Sequence, residues 1–277
     1  MGRFLPWIAG FTVMMSGAVY GDESRVVWGD VTAPRGVVLL VHGLNNSPGV
    51  MEQLAAFVRS QGFASGIVPL SGHEAASPRP VDSPAVWLSD LAGAVREAER
   101  RYPGLPRFNI SFSLGAAVTG AWLREVGHPP FERMVLLAPA FAPKGYTGLL
   151  RFFTWLRAFG VSLPSFVPRE YRSSRFTPLA MYGALFDLID VLSTQPPVDM
   201  MRAIPTLVVV PSGDEFISLN RLRRFIGDNR LTTWRFEIIP PAETGLPHHL
   251  MLDEPSCGAA GWRRLTEMIG SFLTAAG

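Results

Sequence analysis

The sequence predicts an α/β fold, a mostly parallel sheet covered by helices on both faces and interrupted by a helical cap. Short runs of consecutive apolar, mostly branched residues suit strands buried on both faces. They alternate with stretches of helical periodicity, and Ser-Pro pairs mark where helices begin.

Each element follows in order. Arg25 to Trp28 reads as an edge strand, and Thr32 to Gly36 as a turn into the strand Gly36 to His42. Ser47-Pro48 supplies a cap and a first-turn proline for a helix with Val50, Leu54, Phe57 and Val58 inward, ending at Gly62. Phe63 to Leu70 is the next strand. Ser83-Pro84 then starts a helix that turns Trp87, Leu91, Val95 and Ala98 inward and stops near Tyr102-Pro103-Gly104. Phe108 to Phe112 is a strand, Leu114 to Val126 a helix, and Met134 to Ala138 another strand.

From Pro139 to about Pro197 the period changes. No strand is expected there, aromatic density rises, and Pro164, Pro168 and Pro178 divide the stretch into short helices, so residues 140–197 form the inserted cap. Thr206 to Val210 resumes the sheet, Ile217 to Ile226 is helical, and Trp234 to Ile239 is the last strand. Trp262, Leu265, Ile269 and Phe272 mark a closing helix. No repeat or linker splits the core, so residues 22–277 make one domain.

The bulk numbers agree with this. A chain of 277 residues with 48% hydrophobic and 17% charged content has apolar material for one large core. The formal charge is only +2, and no concentrated basic face suggests a nucleic acid partner. The single cysteine, Cys257, excludes an internal disulfide and a cysteine zinc site, and is expected as a small, partly buried loop residue. Residues 1–21 carry one basic residue, Arg3, then an apolar run ending in the small residues before Asp22. They read as a secretory signal cleaved near Gly21, giving an exported, periplasmic or secreted protein, with an uncleaved membrane anchor as the alternative. No cysteine follows that would carry a lipid.

The chemistry centres on Ser113, in FNISFSLGA at the end of a strand and the start of a helix. Serine is a poor nucleophile until a base takes its proton, and the base needs a third group to fix its tautomer. Asp214 follows the strand Thr206 to Val210, and His249 follows the last strand after the loop from Pro240 to Pro247. Serine, acid and histidine thus occur in hydrolase order, each just past the carboxyl end of a strand. Ser111 stands where such a turn has its first glycine, a position that needs a small side chain because strand and helix approach closely. An oxyanion needs two backbone N–H donors aimed at one point; Leu114, after the serine, and Leu44, in His42-Gly43-Leu44 after an early strand, are the candidates. His42 is expected to orient that loop.

The segments LLVHGLNNSP, PLSGHE, SFSLGA, PTLVVVPSGDEFIS and PHHLMLDE, in this order and spacing, resemble the α/β-hydrolase superfamily, and within it bacterial carboxylesterases and monoacylglycerol lipases. The resemblance spans roughly residues 36 to 273. It implies hydrolysis of carboxylic esters without a cofactor, and a helix from Phe176-Thr-Pro to Leu192 leading out of the cap. It selects Asp214 over Glu215, which becomes a loop hydrogen-bonder, and His249 over His248, because Leu250-Met251 match the small apolar pair after the family's histidine. It makes His73 structural. Ser111, Ala116 and Glu74 depart from the family's glycines. His128 reads as a surface residue, and Asp253, with no third ligand nearby, gives no case for a metal.

The cap bears on substrate. Leu149, Leu150, Phe152, Phe153, Trp155, Leu156 and Phe159 are apolar nearly all round a helix, so Phe152, Phe153, Trp155 and Leu156 are candidate substrate contacts. Between Pro139 and Tyr182, Lys144, Arg151, Arg157, Arg169, Arg172 and Arg175 stand against Glu170 alone. An aromatic, basic cap suits an enzyme taking small ester or lipid substrates from an anionic membrane surface. The competing functions are an amidase or aminopeptidase on the same fold, and a non-catalytic lipid-binding relative. A dehalogenase would need an acidic residue at position 113 and a nucleotide-dependent enzyme a Gly-rich phosphate loop; neither is present.

Overall fold

A computed structural model of the chain describes residues 25–73 and 81–275; the expected signal segment 1–21 and Glu74 lie outside them. Its elements alternate in the expected order. β1 (Val27–Gly29) and β2 (Val37–Val41) come first, then a 3-10 turn at Pro48–Met51, α1 (Glu52–Ser60), β3 (Ala64–Val68) and α2 (Ala85–Arg101). β4 (Arg107–Phe112), α3 (Leu114–Trp122) and β5 (Arg133–Leu137) complete the first half. The insertion holds α4 (Thr147–Phe153), a 3-10 stretch Thr154–Phe159, β6 (Ser162–Pro164), β7 (Phe176–Pro178) and α5 (Leu179–Thr194), and α6 (Val198–Ala203) follows it. β8 (Thr206–Pro211), α7 (Leu219–Asp228), β9 (Trp234–Ile239) and α8 (Glu254–Thr274) close the chain.

One 7-stranded sheet runs in the order β1-β3-β2-β4-β5-β8-β9. Every pairing in it is parallel except that of β1, which lies antiparallel on β3 at the edge. All of Val37 to Val41 are at 0% exposure, as a strand covered on both faces must be. Because β2 lies between β3 and β4, the chain leaves β2 toward one edge of the sheet and leaves β4 toward the other. The loops after β2 and β4 therefore meet over the carboxyl ends of the strands, where open α/β sheets form their ligand crevice.

Local details depart from the sequence expectations. The insertion is not purely helical: β6 and β7 pair antiparallel, Leu163 opposite Thr177. Each has only three residues and carries a proline, tolerated where a strand has a free edge, so the segment's prolines concealed it. Ser47 does not cap with its hydroxyl; Val50 N–H bonds to its backbone oxygen, because Pro48 winds a 3-10 turn first. Ser83 Oγ does accept from Ala85 N–H, at 3.3 Å. α3 stops at Trp122, short of Val126, and α7 starts at Leu219 behind Ser218, whose hydroxyl caps Arg221 N–H. Cys257 is buried within α8 rather than partly buried in a loop, and burial pushes its thiol up to about 12.

Candidate active site

β4 delivers Ser113 to the crevice, and the turn that follows is strained. Ser113 has φ 50 and ψ −110, a left-handed conformation that costs a non-glycine residue about 1–3 kcal/mol. Two bonds to the strand-5 side hold it there: Ser113 N–H to Leu137 O at 2.9 Å and Ala140 N–H to Ser113 O at 3.2 Å. Gly115 is required by close approach, since a Cβ there would lie 2.5 Å from Val41 O and 2.7 Å from His42 O. The helix thus rests directly on the backbone leaving β2.

The serine at 111 is accommodated by a buried polar network rather than by size alone. Its hydroxyl donates to Asn109 Oδ1 at 2.6 Å and accepts from Thr119 Oγ1 at 2.8 Å, while Asn109 Nδ2 donates to Leu39 O at 3.3 Å. Ser111, Asn109 and Thr119 are all fully buried. Sequence reasoning missed Asn109 and Thr119; the available signal was two polar residues at i and i+2, on one face of an otherwise apolar strand.

The structure brings Ser113, Asp214 and His249 into one hydrogen-bonded chain. His249 Nδ1 lies 2.8 Å from Asp214 Oδ2, and Nε2 lies 2.9 Å from Ser113 Oγ. A carboxylate can only accept, so Nδ1 carries the proton and Nε2 faces the serine hydroxyl as an acceptor. Asp214 Oδ1 accepts from Phe216 N–H at 2.8 Å and Ile217 N–H at 2.7 Å, which fixes the carboxylate from its own loop. Phe112 and Phe216 flank the imidazole with ring centroids at 5.0 and 5.1 Å.

Glu215 is a loop hydrogen-bonder of specific use: its two oxygens accept from His248 N–H and His249 N–H, each at 2.9 Å. It orients the backbone that carries His249. The His248 ring instead faces Glu215 and the Gly213 carbonyl, with Nδ1 3.4 Å from each. Two groups from the insertion also reach this loop, which sequence reasoning had not placed: Lys144 Nζ donates to Asp214 O and Tyr146 OH to Glu215 O.

Leu44 lines the cavity above Ser113, in the turn after β2. Leu114 is the first residue of α3, where an N–H has no helical carbonyl to serve. Gly43 is as constrained as Gly115: a Cβ would meet Asn46 Oδ1 at 2.6 Å and the Phe112 ring at 2.8 Å. His42, fully buried, ties the loop to β3's exit, accepting from Leu70 N–H at 3.1 Å on Nε2 and donating from Nδ1 to Gly43 O at 2.9 Å. His73 packs edge-on to it at 4.8 Å. His128 is exposed. Asp253 caps α8, accepting from Ser256 N–H and from Tyr171 OH, each at 2.9 Å.

Ser113 and His249 open into a cavity of about 410 Å³ roofed by the insertion. Of the four aromatic and aliphatic candidates, only Phe153 lines it. Phe152 and Trp155 are 70% and 61% exposed on the outside, and Leu156 packs into a small cluster with Leu179, Tyr182, Phe186 and Ile189. The correction has a simple cause: α4 buries none of its residues, so its all-round apolar surface faces solvent as much as ligand. The missed lining comes from Phe166, Leu185, Phe186 and Ile189, largely on α5, the helix that the resemblance implied would lead out of the cap. Among the described residues, no Asp, Glu, Lys or Arg lines the cavity.

The charge of the cap also needs correction. Arg151 pairs with Asp190, Nη1 to Oδ1 at 2.7 Å, and Arg157 with Asp187 at 3.5 Å. Both acids lie on α5 just beyond Tyr182, so the cationic excess of that window is partly neutralised in space.

Burial first, and then neighbouring His73, hold the His42 imidazole at about 3, below its ordinary 6.5. Between these values the unfolded chain binds a proton that the folded chain refuses, so the His42 contribution to stability is lost as pH falls through that range. Urea midpoints at pH 7 and pH 5 are therefore expected to fall with pH, and by less in His42→Asn. An equal fall in both proteins would remove His42 from the cause.

The family model described as serine aminopeptidase, S33, matches residues 32–178, more than half of the chain. Solved structures share the fold at low identity. A soluble variant of monoglyceride lipase from Saccharomyces cerevisiae has a TM-score of 0.73 at 13% identity, covering 90% of this chain and 89% of that one. The monoacylglycerol lipase of Paleococcus ferrophilus has 0.68 at 17%, covering 90% and 100%. A thermophilic esterase from Thermogutta terrifontis has 0.60 at 19%, covering 90% and 92%. The parallel sheet, its strand order and these matches make the chain an α/β-hydrolase, and it belongs to the serine aminopeptidase S33 family.

Proposed function

We propose that this hydrolase cleaves carboxylic esters through an acyl-enzyme on Ser113, as a carboxylesterase or a lysophospholipase or monoacylglycerol lipase. The observation that carries the proposal is the Asp214–His249–Ser113 chain opening into an apolar cavity that no charged side chain lines among the described residues. His249 takes the serine proton as Oγ attacks the ester carbonyl. The Leu44 and Leu114 N–H groups receive the oxyanion, and Asp214 steadies the imidazolium. His249 then returns the proton to the leaving alcohol, and a water molecule, deprotonated by the same histidine, releases the acid.

The cavity favours a neutral ester over the free amino terminus an aminopeptidase must hold, because a buried ammonium needs an anionic partner and, among the described residues, no carboxylate lines the space. The monoglyceride lipase among the structural matches is described in complex with a substrate analogue, which agrees with an acyl ligand in such a cavity. The exposed Phe152, Trp155 and Phe159, with Arg169 and Arg175 exposed nearby in the chain, support docking on an anionic membrane surface. Residues 1–21 support export to the periplasm or beyond, with an uncleaved anchor as the alternative.

Intact mass of the protein recovered from the periplasm or medium, before and after a fluorophosphonate, tests two of these points. A start near Asp22 and a single adduct absent from Ser113→Ala are expected, with kcat of that variant lowered by at least about 10⁴-fold. An unlabelled, folded wild type would count against the mechanism. Phe153→Ala and Phe186→Ala should each lower kcat/KM on long acyl esters roughly tenfold while sparing acetate esters; equal losses on both would remove these rings from acyl binding. Phe152→Ala with Trp155→Ala should release the protein from anionic vesicles in a flotation assay while leaving hydrolysis of a soluble ester unchanged. Unaltered flotation would reject the docking face.

A further inference from the structure

The loop after β2 is held from the cap as well as from the sheet. Asn45 follows Leu44 directly, has φ 54 and is 4% exposed. Asparagine tolerates this left-handed backbone better than most side chains. Its amide can donate twice and accept twice, and all of that capacity is used on the segment between β6 and β7. Nδ2 donates to Ser165 Oγ at 2.7 Å and to Ser174 O at 2.9 Å. Oδ1 accepts from Ser173 Oγ at 2.8 Å and from Ser174 N–H at 3.1 Å. The Asn45 backbone oxygen accepts from Ser173 N–H at 2.9 Å. Beside it, Ser47 N–H and Asn46 Nδ2 both donate to Tyr171 O, at 2.9 and 3.3 Å.

We infer that Asn45 is a positioning residue: by fastening the cap segment 165–174 to the loop after β2, it places the Leu44 N–H where the oxyanion forms. This rests on the ester-hydrolase mechanism proposed above. A donor aimed at developing charge works only if its direction is set before the reaction, because reorienting it during the reaction forfeits much of its effect. Leu44 sits in a turn rather than in a strand ladder; its N–H shares a peptide plane with Gly43 O, which His42 Nδ1 holds from one side at 2.9 Å and Asn46 N–H from the far side of the turn at 3.3 Å, so its direction depends also on how Asn45, between them, is held. Five hydrogen bonds from Asn45 to the cap segment supply that hold. The cap then serves even substrates too small to touch its apolar lining.

The test is Asn45→Gly assayed on a short, water-soluble ester. Glycine adopts φ near 50 without strain, so the variant removes the side-chain bonds and not the backbone preference. Its kcat is expected to fall about 10- to 100-fold, less than the 10²–10³ for a donor lost outright, with KM within about twofold. Affinity for a trifluoromethyl ketone should weaken in step with kcat/KM. Asn45→Asp, which keeps both acceptances and loses both donations, should recover part of the loss. Should Asn45→Gly fail to fold, Ser165→Ala and Ser173→Ala, each removing one bond from the amide, must show the same split in smaller degree. A folded Asn45→Gly with wild-type kcat, whatever its melting temperature, overturns the inference and leaves the hydrolase mechanism standing. A wild type that neither cleaves the ester nor takes up fluorophosphonate overturns the mechanism and the inference together.

Discussion

The site depends on one close approach, that of α3 to the backbone leaving β2. At Gly115 the gap is too small for a Cβ, so the helix bearing Ser113 lies directly on the Val41 and His42 carbonyls. To reach that position from the end of β4 the chain must turn through a left-handed serine. The strain is held by bonds between Ser113 and Leu137, at the end of the neighbouring strand, and Ala140 just beyond it. Everything else in the site is placed relative to this corner. The Ser111 network lies under it, fully buried, so the polar side chain that replaces a glycine has each of its hydrogen-bonding needs met.

Around that corner the remaining parts come from separate loops at one end of the sheet: Leu44 after β2, Asp214 after β8 and His249 after β9. Loops gain precision only by being tied down, and here the inserted segment ties two of them. Its residues 165–174 bond to Asn45, and its entry, through Lys144 and Tyr146, bonds to the carbonyls of Asp214 and Glu215. The insertion is therefore both the roof of the cavity and a brace for the groups beneath it. Glu215 completes the bracing by receiving the two N–H groups of His248 and His249.

The cavity and the outer surface of the insertion divide its aromatic residues between two uses. Phe153, Phe166 and Phe186 face the space above Ser113, while Phe152, Trp155 and Phe159 face solvent. Two of the arginines are matched by Asp187 and Asp190 on α5. Arg169 and Arg175 are exposed on the segment between β6 and β7, so exposed positive charge lies on the loop side of the insertion as well as on α4.

Much of this was legible in the sequence. Buried parallel strands announce themselves as consecutive branched residues, so β2, β4, β5 and β8 were read at nearly their final bounds, whereas α3 ends four residues before the expected Val126. The order serine, acid, histidine at strand ends pointed to the loops that converge, because in a parallel sheet every such loop emerges on the same side, while only the family resemblance separated Asp214 from Glu215 and His249 from His248. The hairpin of β6 and β7, the sorting of Phe152 from Phe153, the pairing of Arg151 with Asp190, and the Asn109–Ser111–Thr119 and Asn45 networks were decided by tertiary structure alone. The physical reason is common to them: each depends on which side of a short element meets a partner distant in sequence. Periodicity reports that an element has an apolar face, and only packing determines what that face meets.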